Sequence, residues 1–155
     1  MAKIEEINFL GEKRPGANVS KTVGAGGVNE RFDVMLVQAL FRYISLQEDV
    51  AAHGEYDNFA RNVLGVPSAK DVPKATGVFD AATAKTIWAF QRRNALRLLD
   101  MDGTIHPADY KGRVLKKQYP LMTITLLHSA ALGTITNIGR NYIQGLKIIA
   151  PQLPI

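Results

Sequence analysis

Four side chains with binding chemistry, Lys85, Trp88, Arg92 and Arg93, stand in one short run of the chain. At about 100° per residue in a helix, Lys85 and Arg92 project to nearly the same side, and Trp88 lies close beside them. An indole face stacks on flat partners such as sugar rings, and a guanidinium grips a carboxylate through two parallel hydrogen bonds. His106 and Tyr110 follow in a turn-rich stretch and extend the candidate ligand-binding set. The competing expectation for Trp88 is packing beneath the C-terminal residues, and for the arginines ordinary solvated surface.

Catalytic chemistry is poorly served. The chain has no cysteine, which removes disulfides, thiolate metal sites, iron–sulfur clusters and cysteine nucleophiles together. His53, His106 and His128 are far apart, and none belongs to an H-E-x-x-H pattern. No G-x-S-x-G run marks a nucleophile elbow. Asp100 and Asp102 read as turn formers rather than as a glycosidase pair. The glycines at 24, 26 and 27 lack both the Gly-Lys-Ser/Thr ending of a phosphate loop and dinucleotide spacing, so they read as turn residues. We therefore expect no enzyme, no metal and no cofactor.

The net charge of +5 is unevenly placed. Residues 1–83 carry 9 basic and 11 acidic side chains, residues 84–118 carry 8 and 3, and residues 119–155 carry 2 and 0. A one-sided field of this kind favours an anionic partner: nucleic acid, lipid head groups or a carboxylate-bearing polymer. Nucleic acid is not expected, because no recognised nucleic-acid module accompanies the basic segment.

The elements that must position these groups read as helices. Phe32, Val34, Val37, Leu40, Phe41 and Ile44 recur at helical spacing and predict a first helix over 31–46, with Asp33 in its first turn. Tyr56, Phe59 and Val63 suggest a short inserted helix around 55–64, closed by Gly65 and Pro67. A longer helix is expected from about 80 to 98, with Ile87, Phe90 and Leu98 on its buried face. Pro107 fits the first position of another, over 107–118. Residues 1–22 read as a flexible N-terminal arm.

Two stretches repeat at an offset of 26 residues: Thr76-Gly77-Val78-Phe79-Asp80 and Asp102-Gly103-Thr104-Ile105-His106. In each, a glycine permits positive φ, an apolar residue two places on plugs the core, and a helix-starting residue follows. The first helix also contains Asp33-Val34-Met35-Leu36-Val37-Gln38-Ala39-Leu40, and the stretch from Gly77 ends in Phe90-Gln91. At these residues the chain resembles the peptidoglycan-binding-domain-like family of small three-helix modules, over about residues 23–118. The resemblance implies an all-α fold, a small helical bundle with an inserted short helix and a C-terminal helical extension. It implies a non-catalytic module for bacterial cell-wall peptidoglycan. Trp88 would stack on sugars, Lys85, Arg92 and Arg93 would meet peptide carboxylates, and Tyr110 with His106 would supply further contacts from the following elbow. Gln38 and Gln91 have the alternative task of satisfying elbow backbone groups.

Residues 119–155 lie outside the resemblance. Ile124, Leu127, Ala131, Ile135, Ile138, Tyr142, Leu146 and Ile149 step by three or four, which predicts an apolar helical extension broken near Gly133. Such a face docks on its own domain or on a partner, so the alternative function is a structural adaptor that self-assembles or joins a secretion, phage-tail or envelope complex through residues 121–149. Residues 121–138 carry no formal charge, but four threonines, Ser129, Asn137 and His128 make them too polar for a transmembrane span. Ile7 to Leu10 is too short for the apolar core of a Sec-type signal, so the chain is expected to be cytoplasmic at synthesis. Delivery to the envelope would then need a non-Sec route.

Overall fold

The computed structural model describes residues 1–9, 12–50, 64–110, 114–115, 120–133 and 142–155. Its elements are strands β1 (Lys3–Phe9), β2 (Glu12–Asn18) and β3 (Val23–Gly24), helices α1 (Arg31–Val50) and α2 (Ala81–Arg93), strands β4 (Thr104–Ile105) and β5 (Val114–Leu115), and helices α3 (Thr123–Gly133) and α4 (Tyr142–Ile149). A single 3-10 turn, Ala95–Arg97, follows α2. The predicted helix over 55–64 lies almost wholly outside the described residues.

The chain is mixed α and β, which corrects the all-α expectation. Residues 1–22, expected as a flexible arm, contain the antiparallel β1–β2 hairpin, in register from Lys3↔Asn18 to Phe9↔Glu12. β1 also pairs in parallel with β5 through Asn8↔Val114 and Phe9↔Leu115, giving the sheet order β2-β1-β5. The predicted helix over 107–118 is corrected too: residues 107–110 are not helical and Val114–Leu115 is strand. Pro107 ends the short β4 instead of opening a helix. Pro15 is tolerated in β2 because that strand forms the sheet edge, where a missing N–H interrupts no second ladder.

α1 is the axis of the core. From Asp33 to Ser45 every residue but Arg42 is buried, so the helix is enclosed on all sides and not on one stripe. α3 and α4 both pack against it, and α3 also covers β2. Phe41 meets Phe90 of α2 edge to face at 5.5 Å between ring centres, and Tyr43 meets Tyr142 of α4 at 6.0 Å. The tail's periodic residues Ile124, Leu127, Ala131, Tyr142 and Leu146 are all buried inside this chain. The start of α1 is fastened by Asp33, whose buried carboxylate accepts from the Ser20 N–H, the Ser20 hydroxyl and the Lys21 N–H.

Both repeated elbows exist, and each is pinned by a glutamine from the preceding helix. Gln38 of α1 accepts from the Gly77 N–H at 2.9 Å and donates to the Val78 carbonyl and the Thr83 hydroxyl at 2.9 and 2.8 Å. Gln91 of α2 accepts from the Gly103 N–H at 2.8 Å and donates to the Thr104 carbonyl and the Thr123 hydroxyl, both at 3.0 Å. It also reaches the Asp100 carbonyl at 2.6 Å. Gly77 and Gly103 have φ of 77° and 80°, the left-handed region that a side chain disfavours.

The relay continues identically beyond each glutamine. Thr83 gives its N–H and its hydroxyl to Asp80 Oδ1, at 2.8 and 2.6 Å, and so opens α2. Thr123 gives the same two groups to Asp100 Oδ1, both at 2.7 Å, and so opens α3. These bonds from Thr83 hold the Asp80 carboxyl below its usual range. Asp80→Ala removes an N-cap and is expected to cost about 1 kcal/mol, read as a lower urea midpoint, with Asp80→Asn recovering most of it.

Candidate functional site

The exposed side of α2 is built by the two nodes at its ends. Asp80 and Thr83 set where the helix begins, and Ile87, Phe90 and Gln91 turn one side into the core. Lys85, Trp88 and Arg92, at positions i, i+3 and i+7, are thereby left outward on the same face. The helix contains no acidic residue, and no ion pair among the described residues engages Lys85 or Arg92.

Trp88 is neither free nor buried under the tail. Its indole rests on Gly103 so closely that a Cβ there would come within 2.6 Å of the ring, and the residue stays 40% exposed. This corrects the expectation that it packs beneath the C-terminal residues. The glycine thus serves twice, once for its positive φ and once for ring contact. Arg93 is exposed on the neighbouring strip of the helix, with its stem against Gly65.

His106 lies in the second elbow, three residues after the Gly103 on which Trp88 rests. It is partly exposed and shares a 2.9 Å hydrogen bond between Nε2 and Asp102 Oδ2. Burial alone would raise the Asp102 carboxyl, but this bond and the Thr104 N–H outweigh it and lower it.

Tyr110 does not join them. It is buried, its hydroxyl donates to the Ala17 carbonyl at 3.2 Å and lies 3.3 Å from the Thr125 hydroxyl, and its ring faces His128. Burial raises the phenol well above its ordinary range. It is a core residue linking β2 to α3, and no ligand could stack on it without unpacking the fold. The site therefore comprises Lys85, Trp88 and Arg92, with Arg93 and His106 beside them.

Three residues of this surface escape pattern reading. Leu98 and Asp100 point inward, so the alternating Leu99 and Met101 point out, 65% and 44% exposed, and Leu96 in the 3-10 turn is 96% exposed. The alternation was the available signal, hidden because a helix was expected to run through residue 98.

Among the described residues no group of three His, Asp or Glu gathers as a metal site would require, and no helix is long and apolar enough to cross a membrane. His53 lies outside the described residues. No family model, no curated protein and no solved structure matches the chain.

Proposed function

We propose that the chain is a non-catalytic binding module for bacterial cell-wall peptidoglycan, engaging it through the exposed face of α2. The observation that carries this reading is a half-exposed indole seated closely on a glycine, on an acid-free helix whose Lys85 and Arg92 are in no ion pair among the described residues. Trp88 offers a stacking face to a sugar ring, and Lys85 and Arg92 offer pairing to the carboxylates of the wall peptide. Arg93 and His106 flank the contact. The glutamine-pinned elbows, with the resemblance of their sequences to the peptidoglycan-binding-domain-like family, support the same reading. Of the apolar residues of α3 and α4, Ile124, Leu127, Ala131, Tyr142 and Leu146 are buried in the chain's own core, while Ile148 stays 80% exposed.

Sedimentation with purified sacculi tests the proposal. The wild type is expected to be retained in a salt-sensitive way, Trp88→Ala to bind about tenfold more weakly, and Arg92→Glu to be weaker still at low salt. A folded wild type that stays in the supernatant with sacculi would sink it.

A further inference from the structure

Four of the eight exposed large apolar residues among the described residues, Trp88, Leu96, Leu99 and Met101, fall in one fourteen-residue stretch at the end of α2. They come from three kinds of backbone: Trp88 from the helix, Leu96 from the 3-10 turn, and Leu99 and Met101 from the extended run behind it. That run is held in place by reciprocal bonds, Leu99 N–H to the Leu121 carbonyl and Leu121 N–H to the Arg97 carbonyl, at 2.9 and 2.7 Å. The outward direction of Leu99 and Met101 is therefore built into the fold. Leu96 touches almost nothing of its own chain, so the patch projects and forms no groove.

The charge on the α2 side of the patch is positive, while the exposed carboxylate of Asp102 stands next to Met101 at its other end. Residues 81–99 hold Lys85, Arg92, Arg93 and Arg97 and no acid. Asp100 is turned inward to Thr123, and the exposed Asp102 is engaged by His106.

We propose that this projecting patch is a docking surface for an anionic lipid bilayer, with Leu96, Leu99 and Met101 entering the interfacial layer and the cations of α2 resting on head-group phosphates. A bilayer accepts side chains that project at irregular spacing, whereas a helix-in-groove partner would need them along one regular face. Trp88 sits at the boundary, where an indole with an apolar body and a polar N–H is favoured. The basic residues supply the attraction to anionic head groups that three shallow side chains need in addition. This surface shares Trp88 and the cations of α2 with the wall-binding face, and Leu96 and Leu99 belong to it alone, taking no part in the sacculus contact.

Flotation with vesicles tests it. The full chain is expected to float with vesicles of phosphatidylcholine and phosphatidylglycerol, to float at least tenfold less with phosphatidylcholine alone, and to detach as salt is raised. Leu96→Glu/Leu99→Glu is expected to abolish flotation while its circular dichroism and thermal midpoint stay those of the wild type, since both side chains are exposed. Because that variant keeps Lys85, Trp88 and Arg92, it is expected to sediment with sacculi as the wild type does, which separates failure of this proposal from failure of the wall-binding one. Three results overturn the bilayer reading: a folded wild type that does not float with phosphatidylglycerol vesicles, as a protein-only surface would give; equal flotation with both vesicle types; or a double variant that floats like the wild type.

Discussion

Gln91→Leu is expected to destabilise the protein by about 3 kcal/mol and to lower its urea midpoint more than any surface substitution. The side chain is fully buried, and its amide meets the Gly103 N–H, two carbonyls and the Thr123 hydroxyl. Leucine fits the volume but leaves these groups facing a hydrocarbon, and each buried polar group without a partner costs about 1–3 kcal/mol before relaxation. The loss also frees the elbow under Trp88, so the indole should become more solvated and its fluorescence shift to the red. Gln91→Glu keeps the acceptor but sets an oxygen against the Asp100 and Thr104 carbonyls, and is expected to destabilise at least as much. A Gln91→Leu protein with wild-type stability would show that the node is not a determinant of the fold.

Acid is expected to unfold this protein early, and His128 is the reason. The imidazole is buried in α3 between Tyr110 and Tyr142, at 6.4 and 6.1 Å between ring centres, and its Nδ1 has no hydrogen-bond partner among the described residues. Burial lowers its pKa to about 4, against about 6.5 in an unfolded chain. Between those values the unfolded state binds the proton and the folded state does not, so stability is complete above about pH 6.5 and falls as pH drops toward 4. The loss across that window is about 3 kcal/mol, because each pKa unit corresponds to about 1.4 kcal/mol. His128→Phe keeps a ring in place and removes the titration. Urea unfolding at pH 7.5, 5.5 and 4.5 should show wild type and variant diverging only on the acid side. Parallel pH profiles for the two proteins would rule this origin out.

Helical spacing was legible wherever one helix alone decides the outcome. Lys85, Trp88 and Arg92 share a face because three and seven residues separate them, and that required no knowledge of the rest of the chain. Asp80 and Thr83 signal a helix start for the same local reason. The hairpin was not legible, because β1 carries adjacent glutamates and β2 carries Pro15 and Gly16 at its centre, all of which speak against strands. What makes them strands is mutual pairing, the β5 neighbour far along the chain, and α3 lying on β2. Tyr110 was misplaced for a related reason: its partners, Ala17 and Thr125, lie 93 and 15 residues away. The helix expected at 107–118 rests on Pro107 as a first helical residue, whereas the helix after the second elbow starts at Thr123, which Asp100 caps from 23 residues away.

That displaced threonine bears on the order in which the chain assembles. Asp80 and Thr83 are three residues apart, so the cap of α2 closes in an unfolded chain almost without loop entropy. Asp100 and Thr123 are separated by 23 residues, and their bond forms only after the intervening chain has turned back. Two nodes with the same atoms therefore belong to different moments of folding. The glutamine locks run the other way, since Gln38 reaches Gly77 across 39 residues and Gln91 reaches Gly103 across 12, so α2 with the second elbow is expected to close before α1 locks the first elbow and α3 docks. Inserting a residue between Asp80 and Thr83 should abolish the cap of α2 outright.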